Sequence, residues 1–99
     1  MKKIFIREVI IMKLKKTAQV QFLGGQAIIV DTDVTNDAFL GIIKLNSSAA
    51  IIVDLLKEEQ TLDSLVAAIC DEYEVTEPQA RADVDFFISQ LRSAGMIVD

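Results

Sequence analysis

The sequence predicts a single α+β domain in which a three-stranded antiparallel β-sheet is followed by three α-helices. Three observations predict it. Residues 18–30 carry apolar side chains in short extended runs on either side of a diglycine. From residue 49 to residue 91 apolar side chains recur at helical spacing. At 99 residues, the chain has no room for a second domain of roughly 100 residues.

The strands come first. Ala18-Gln19-Val20-Gln21-Phe22 alternates small or apolar with polar residues, as a half-buried strand does, and Gln26-Ala27-Ile28-Ile29-Val30 answers it across Gly24-Gly25. A diglycine supplies the positive φ of a tight hairpin turn. Asp31 to Asp37 is polar and reads as a loop. Gly41-Ile42-Ile43-Lys44-Leu45 is the third strand and runs directly into Asn46.

The helices are marked at their starts. Asn46 is an N-cap, with Ala49, Ile52, Val53 and Leu56 spaced along one face behind it. Thr61 caps the second helix, Asp63 suits its first turn, and Leu62, Leu65, Val66, Ile69 and Tyr73 form its buried stripe. Thr76, Pro78 in the first turn, and Gln79 three residues after the cap predict a capping box for the third helix. Its apolar face is Ala80, Val84, Phe87, Ile88 and Leu91, and Gly95 is its left-handed stop. Met96-Ile97-Val98 offers a last short extended segment.

Composition bounds the chemistry. Cys70 is the sole cysteine and His is absent, so this chain alone builds no disulfide, Cys-rich zinc site or iron–sulfur cluster, and it lacks the usual proton shuttle. Cys70 lies in an apolar helical pattern and reads as an inert thiol. No spacing of carboxylates, Lys or Ser supports a catalytic site, so neither enzymatic activity nor a cofactor is expected. Yet 52% of residues are hydrophobic, with a mean hydropathy of +0.38, more than a lone soluble domain of this size needs. Some of that surface is expected to serve a partner.

Charge is unevenly placed. Residues 1–16 carry six bases against Glu8 alone, net +5, while residues 17–99 carry four bases against fourteen acids, net −10. In the first twelve residues Arg7 and Glu8 cut the apolar run into pieces of three or four. A secretory core needs about 7–15 uninterrupted apolar residues and a spanning helix about 20, so no targeting or membrane segment is read and a cytoplasmic location is expected. Met12, followed by Lys-Leu-Lys-Lys, is an alternative translation start to Met1. Residues 1–12 are accordingly expected as a basic extension outside the fold, with the domain over 13–99.

The third strand is the expected open edge of the sheet. It is short and apolar, and Lys44 is the kind of charge that blunts an edge, so it reads either as an ordinary managed edge or as a place for another chain to pair.

The stretches LGIIKLNSSAAIIVDLL, TLDSLVAAICDEYEV and ADVDFFISQLRSAGMI, in that order, resemble the PqqD family over about residues 13–99. The resemblance rests on a strand ending in Leu45-Asn46 that opens a helix with Ala49-Ala50, on a Thr61-started helix ending in an aromatic, on Asp83-Val84 with Phe87 and Leu91, and on Ala94-Gly95-Met96-Ile97. It implies a winged helix-turn-helix-like domain that binds the leader of a ribosomally made precursor peptide and presents it to a modifying enzyme. That enzyme is a radical SAM maturase or, in lasso-peptide pathways, a leader peptidase. It further implies that the leader adds as a strand beside the third strand, against the third helix, an interaction that requires no His, metal or nucleophile. A homodimer is a further partner to consider.

Carried onto this chain, the peptide-binding residues are Ile42, Ile43, Lys44 and Leu45 on the strand, with Arg81, Asp85, Ile88 and Arg92 along one stripe of the third helix. Ile88 would supply apolar contact, and Arg81 and Lys44 would meet acidic leader side chains. The plain alternatives are that Ile88 belongs to the core and that Arg81 and Asp85 form a solvated i, i+4 pair. The chain has no Trp, and its hairpin differs from that of members devoted to pyrroloquinoline quinone. It looks closer to standalone members of other modified-peptide clusters.

Two rival functions fit parts of the sequence. A winged helix invites DNA binding, but the third helix sets Arg81 and Arg92 against Glu77, Asp83 and Asp85 on an already acidic body, which opposes a phosphate-dominated interface. An acyl carrier protein is suggested by size, acidity and Asp63-Ser64-Leu65, but strands precede the helices here and Ser64 falls in the first turn of a capped helix.

Overall fold

A computed structural model of the chain describes residues 10–33, 35–36 and 43–98. Its elements are β1 (Lys13–Leu14), β2 (Ala18–Leu23), β3 (Gln26–Asp31), β4 (Ile43–Lys44), α1 (Ser47–Leu55), α2 (Leu62–Glu72), α3 (Glu77–Ser93) and β5 (Ile97–Val98). The expected architecture is present: β2, β3 and β4 form an antiparallel sheet in that order, and three helices follow. The β2–β3 turn closes on Leu23 opposite Gln26, with Gly24 and Gly25 both at positive φ, as a two-residue hairpin requires.

The helix stripes read from spacing are the core. Ala49, Ile52, Val53 and Leu56 of the α1 region, Leu65, Val66 and Ile69 of α2, and Ala80, Val84, Phe87, Ile88 and Leu91 of α3 are all buried in one cluster with Ile29 and Leu45. Leu62 and Tyr73 pack at its margin. Asn46 accepts from the Ala49 N–H at 2.8 Å, and Thr76 accepts from the Gln79 N–H at 3.3 Å. The capping box, however, sits on α2 rather than α3. Thr61 and Ser64 exchange hydrogen bonds, while Gln79 reaches forward to Asp83. A hydroxyl at the third position closes the loop as well as a longer amide does, and Gln79 finds a partner one turn ahead.

An unforeseen strand precedes the hairpin. β1 pairs antiparallel with β5, so the last strand lies beside the first. Met12, at 3% exposure, lies in the core, donates to Gln60 O at 2.8 Å and accepts from Gln60 N–H at 2.9 Å. The packing therefore includes Met12, although the expected boundary placed the domain's start at Lys13. Ile10 and Ile11 are exposed, and residues 1–9 of the expected extension lie outside the described residues, as do Gly41 and Ile42 of the expected third strand.

Polar bonds tie the turn after β3 to the end of α3. Asp31, its side chain 1% exposed, accepts from Thr17 Oγ1 at 2.6 Å, Lys15 Nζ at 3.2 Å and Asn36 Nδ2 at 2.6 Å. Asn36 Nδ2 also donates to Ala94 O at 2.9 Å, beside the positive-φ Gly95. Burial pushes the Asp31 carboxyl up, but hydrogen bonds from Thr17, the Asp33 N–H, Asn36 and Lys15 outweigh it and hold it far below the usual carboxylate range. Asp33, paired to Lys15 at 2.7 Å and bonded by Thr35, is lowered to about 2.

Candidate peptide-binding edge

β4 is short because Asn46 ends it, and its hydrogen bonds define which side is open. Leu45 N–H donates to Ala27 O at 2.9 Å, and the register pairs Ile29 with Ile43 and Ile28 with Lys44. In an antiparallel ladder the main-chain groups of successive residues point to opposite sides. Ile43 and Leu45 thus bond toward β3, and the Lys44 N–H and C=O face outward. Gln26 fastens this end by donating from Nε2 to Ala27 O at 2.9 Å and to Leu45 O at 3.0 Å. Among the described residues no strand pairs with β4 on its outer side.

The open edge borders α3 across two adjoining troughs, of about 480 and 410 Å³. Phe86 and Gln90 line both; Ile43 lines one, and Lys44 lines the other with Tyr73, Val75 and Asp83. Tyr73 Oη donates to Ser47 Oγ at 3.0 Å, which ties the end of α2 to the first turn of α1 on the floor of this region. Phe86 is 68% exposed. Keeping a ring of that size in water forgoes about 2 kcal/mol that burial would return.

The expected site residues separate into two places. Ile43 and Lys44 lie at the open edge, Leu45 is buried beneath it, and Ile42 lies outside the described residues. Arg81, Asp85, Ile88 and Arg92 do lie along one stripe, but that stripe faces away from β4. They line a different trough, of about 340 Å³, with Ile10, Met12 and the first turn of α2. Ile88 is 4% exposed and part of the core. Arg81 bonds Asp63 and Glu77, both at 2.9 Å, so its i, i+4 partner lies one turn behind rather than at Asp85. Those carboxylates raise the Arg81 pKa.

The α3 residues beside β4 are instead Phe86, Gln90 and Asp83. A signal for the first was present in the sequence. At about 100° per residue, Ala80, Val84, Phe87, Ile88 and Leu91 share an arc of about 100°, and Phe86 falls about 100° beyond its nearer edge. An aromatic ring off the buried face is an exposed apolar group that spacing alone can point to.

Among the described residues no group of three or more His, Cys, Asp or Glu could hold a metal ion, and no helix is long and apolar enough to cross a membrane. The Ser64 hydroxyl is engaged in the α2 cap: it accepts from the Thr61 N–H, and its single proton has Gln60 Oε1 and Thr61 O within reach.

Three comparisons with known proteins place this geometry. No curated protein sequence matches the chain. A solved structure described as TbiB1 in complex with the TbiA(beta) leader peptide superimposes with a TM-score of 0.68 over 86% of this chain and 93% of its own, at 20% identity, which establishes a shared fold. The family profile described as coenzyme PQQ synthesis protein D (PqqD) matches residues 24–97, a span that runs from the hairpin turn through β4 and all three helices to β5. On that match the chain belongs to the PqqD family.

Proposed function

We propose that this chain binds the leader of a ribosomally synthesised precursor peptide as an added strand on the open edge of β4, and presents it to a modifying enzyme such as a radical SAM maturase or a leader peptidase. The observation that carries the reading is the unpaired outer side of Lys44 beside a trough walled by the exposed Phe86. A strand laid there gains main-chain hydrogen bonds from β4 and buries apolar side chains against α3. Family membership supports it, as does the leader peptide bound to the structural neighbour. In this reading the chain holds the substrate and performs no chemical step itself.

The test is a titration of the isotopically labelled chain with the short peptide encoded beside its gene. Binding at roughly micromolar strength is expected, with amide shifts at Ile43 to Leu45, Phe86 and Gln90. Lys44→Pro removes an outward N–H and spares the bonds to β3, so it should weaken binding by about tenfold or more while the melting temperature holds. Full affinity in a folded Lys44→Pro variant, or shifts confined to the Arg81–Arg92 stripe, overturns the proposal.

A further inference from the structure

The sheet has a second edge, at β2. Its sequence, Ala-Gln-Val-Gln-Phe-Leu, contains no charge and no proline, its register with β3 is unbroken, and no described strand pairs with its outer side. Because the two-residue turn makes Leu23 and Gln26 a hydrogen-bonded pair, alternation turns Gln21 and Gln19 toward β3 and leaves the main-chain groups of Val20 and Phe22 facing outward. Val20, Phe22 and Leu23 are exposed, Phe22 at 76%. Edges are ordinarily blunted by a Lys, a Pro or a bulge, and this one carries none of the three.

The start of this edge opens on a groove of about 520 Å³ lined by Lys13, Lys15, Lys16 and Lys57 together with Gln19 and Val20. Lys15 is occupied by Asp31 and Asp33. Lys57 has only the exposed Asp54 at 3.2 Å, and Lys13 and Lys16 form no ion pair with a described residue. Residues 17–99 carry net −10, so the groove concentrates positive charge on an acidic body.

We propose that the β2 edge is a docking surface for an extended acidic segment of another protein, which adds as a strand beside Val20 and Phe22 and sets its carboxylates over Lys13, Lys16 and Lys57. Charge selects this occupant over two others. In each antiparallel register that pairs the outward groups of Val20 and Phe22 with those of a second copy, Lys16 falls at or beyond the copy's hairpin tip, whose Leu23-Gly24-Gly25-Gln26 carries no carboxylate. The chain's own residues 1–9 set Lys2, Lys3 and Arg7 against Glu8, a poor complement to lysines. β2 and β4 are opposite edges of one sheet, so both accept a strand at once. On the leader-binding reading that other protein is the modifying enzyme; this identity rests on that reading, and the surface itself does not.

The probe is a blocked synthetic peptide of Glu-Val repeated four times, with its Lys-Val counterpart as control, titrated into the labelled full-length chain. The acidic peptide should bind at roughly millimolar strength or better and shift the amides of Lys13 to Lys16, Val20 and Phe22. Affinity should fall about fivefold or more in about 0.5 M salt and in a Lys13→Glu/Lys16→Glu variant. Leader titration of that variant reports separately on β4 and should be unchanged. If the leader fails to bind while the acidic peptide still does, only the identity of the partner falls. Equal binding of the Lys-Val peptide, shifts confined to residues 43–45, or no shift at millimolar peptide overturns the proposal. So does a dimer in sedimentation that Val20→Pro abolishes in a chain that ignores the acidic peptide, since the occupant would then be a second copy.

Discussion

The two flanks of α3 carry opposite balances of chemistry and availability. On one, Arg81 is held between Asp63 and Glu77, Ile88 is buried, and Arg92 lies against Met12 at 4.0 Å from its sulfur. On the other, Phe86 and Gln90 stand exposed beside the unpaired side of β4. The first flank has the charges usually associated with recognition, of which Arg81 is already paired with two exposed carboxylates while Asp85 is exposed. The second has one exposed ring, one amide and an open strand edge. Exposure and an open strand edge distinguish the second flank as much as residue type distinguishes the first.

The largest expected effect tests that division directly. Ile88→Ala empties a core position and should cost about 2–4 kcal/mol of stability in denaturant unfolding, with leader affinity of the folded protein unchanged. Phe86→Ala should do the reverse, moving stability by no more than about 0.5 kcal/mol. Its leader affinity should fall roughly tenfold to thirtyfold, the equivalent of losing about 1.5–2 kcal/mol of burial in calorimetry. If both substitutions act on stability alone, or both on binding alone, the two flanks are not distinct.

A second comparison concerns pH, through the bonds that hold the turn after β3 to the end of α3. Asp31 and Asp33 bind protons more weakly folded than unfolded, so their contribution is complete above the ordinary value of 3.8 and is lost as pH falls, Asp33 through about 2 and Asp31 lower still. Asp31→Asn should therefore melt below the parent chain at pH 6, and the gap should narrow as pH drops below 3.8. A constant gap across that range contradicts the assignment. Lys15, whose value is raised, contributes fully below 10.5 and loses its contribution at higher pH.

The smallest effect belongs to Arg81→Gln. Its two ion pairs are exposed and screened, so melting temperature and leader affinity should both stay near those of the parent chain. A large loss of leader binding would place the leader on the Arg81 flank instead.

Much of the fold is legible in the sequence. The hairpin followed from Gly24-Gly25, the helix starts from Asn46, Thr61 and Thr76, and the three buried stripes from helical spacing, because each depends on residues within a few positions of one another. The open strand edge was legible through Lys44, whereas the position of its outward N–H was not. Ile43 is the obvious candidate, and only the Leu45 to Ala27 bond shows that Lys44 holds that place.

Local spacing determines which residues of α3 share a face, and so which of them form the core. It does not determine how the helix is rotated about its axis relative to β4, and that rotation decides whether Arg81, Asp85, Ile88 and Arg92 or Asp83, Phe86 and Gln90 border the open edge. The pairing of β1 with β5, the burial of Met12 and the Asn36 bridge to Ala94 belong to the same class. Each joins segments distant in the chain, where no periodicity or cap carries information and only the simultaneous packing of all the elements selects the partner.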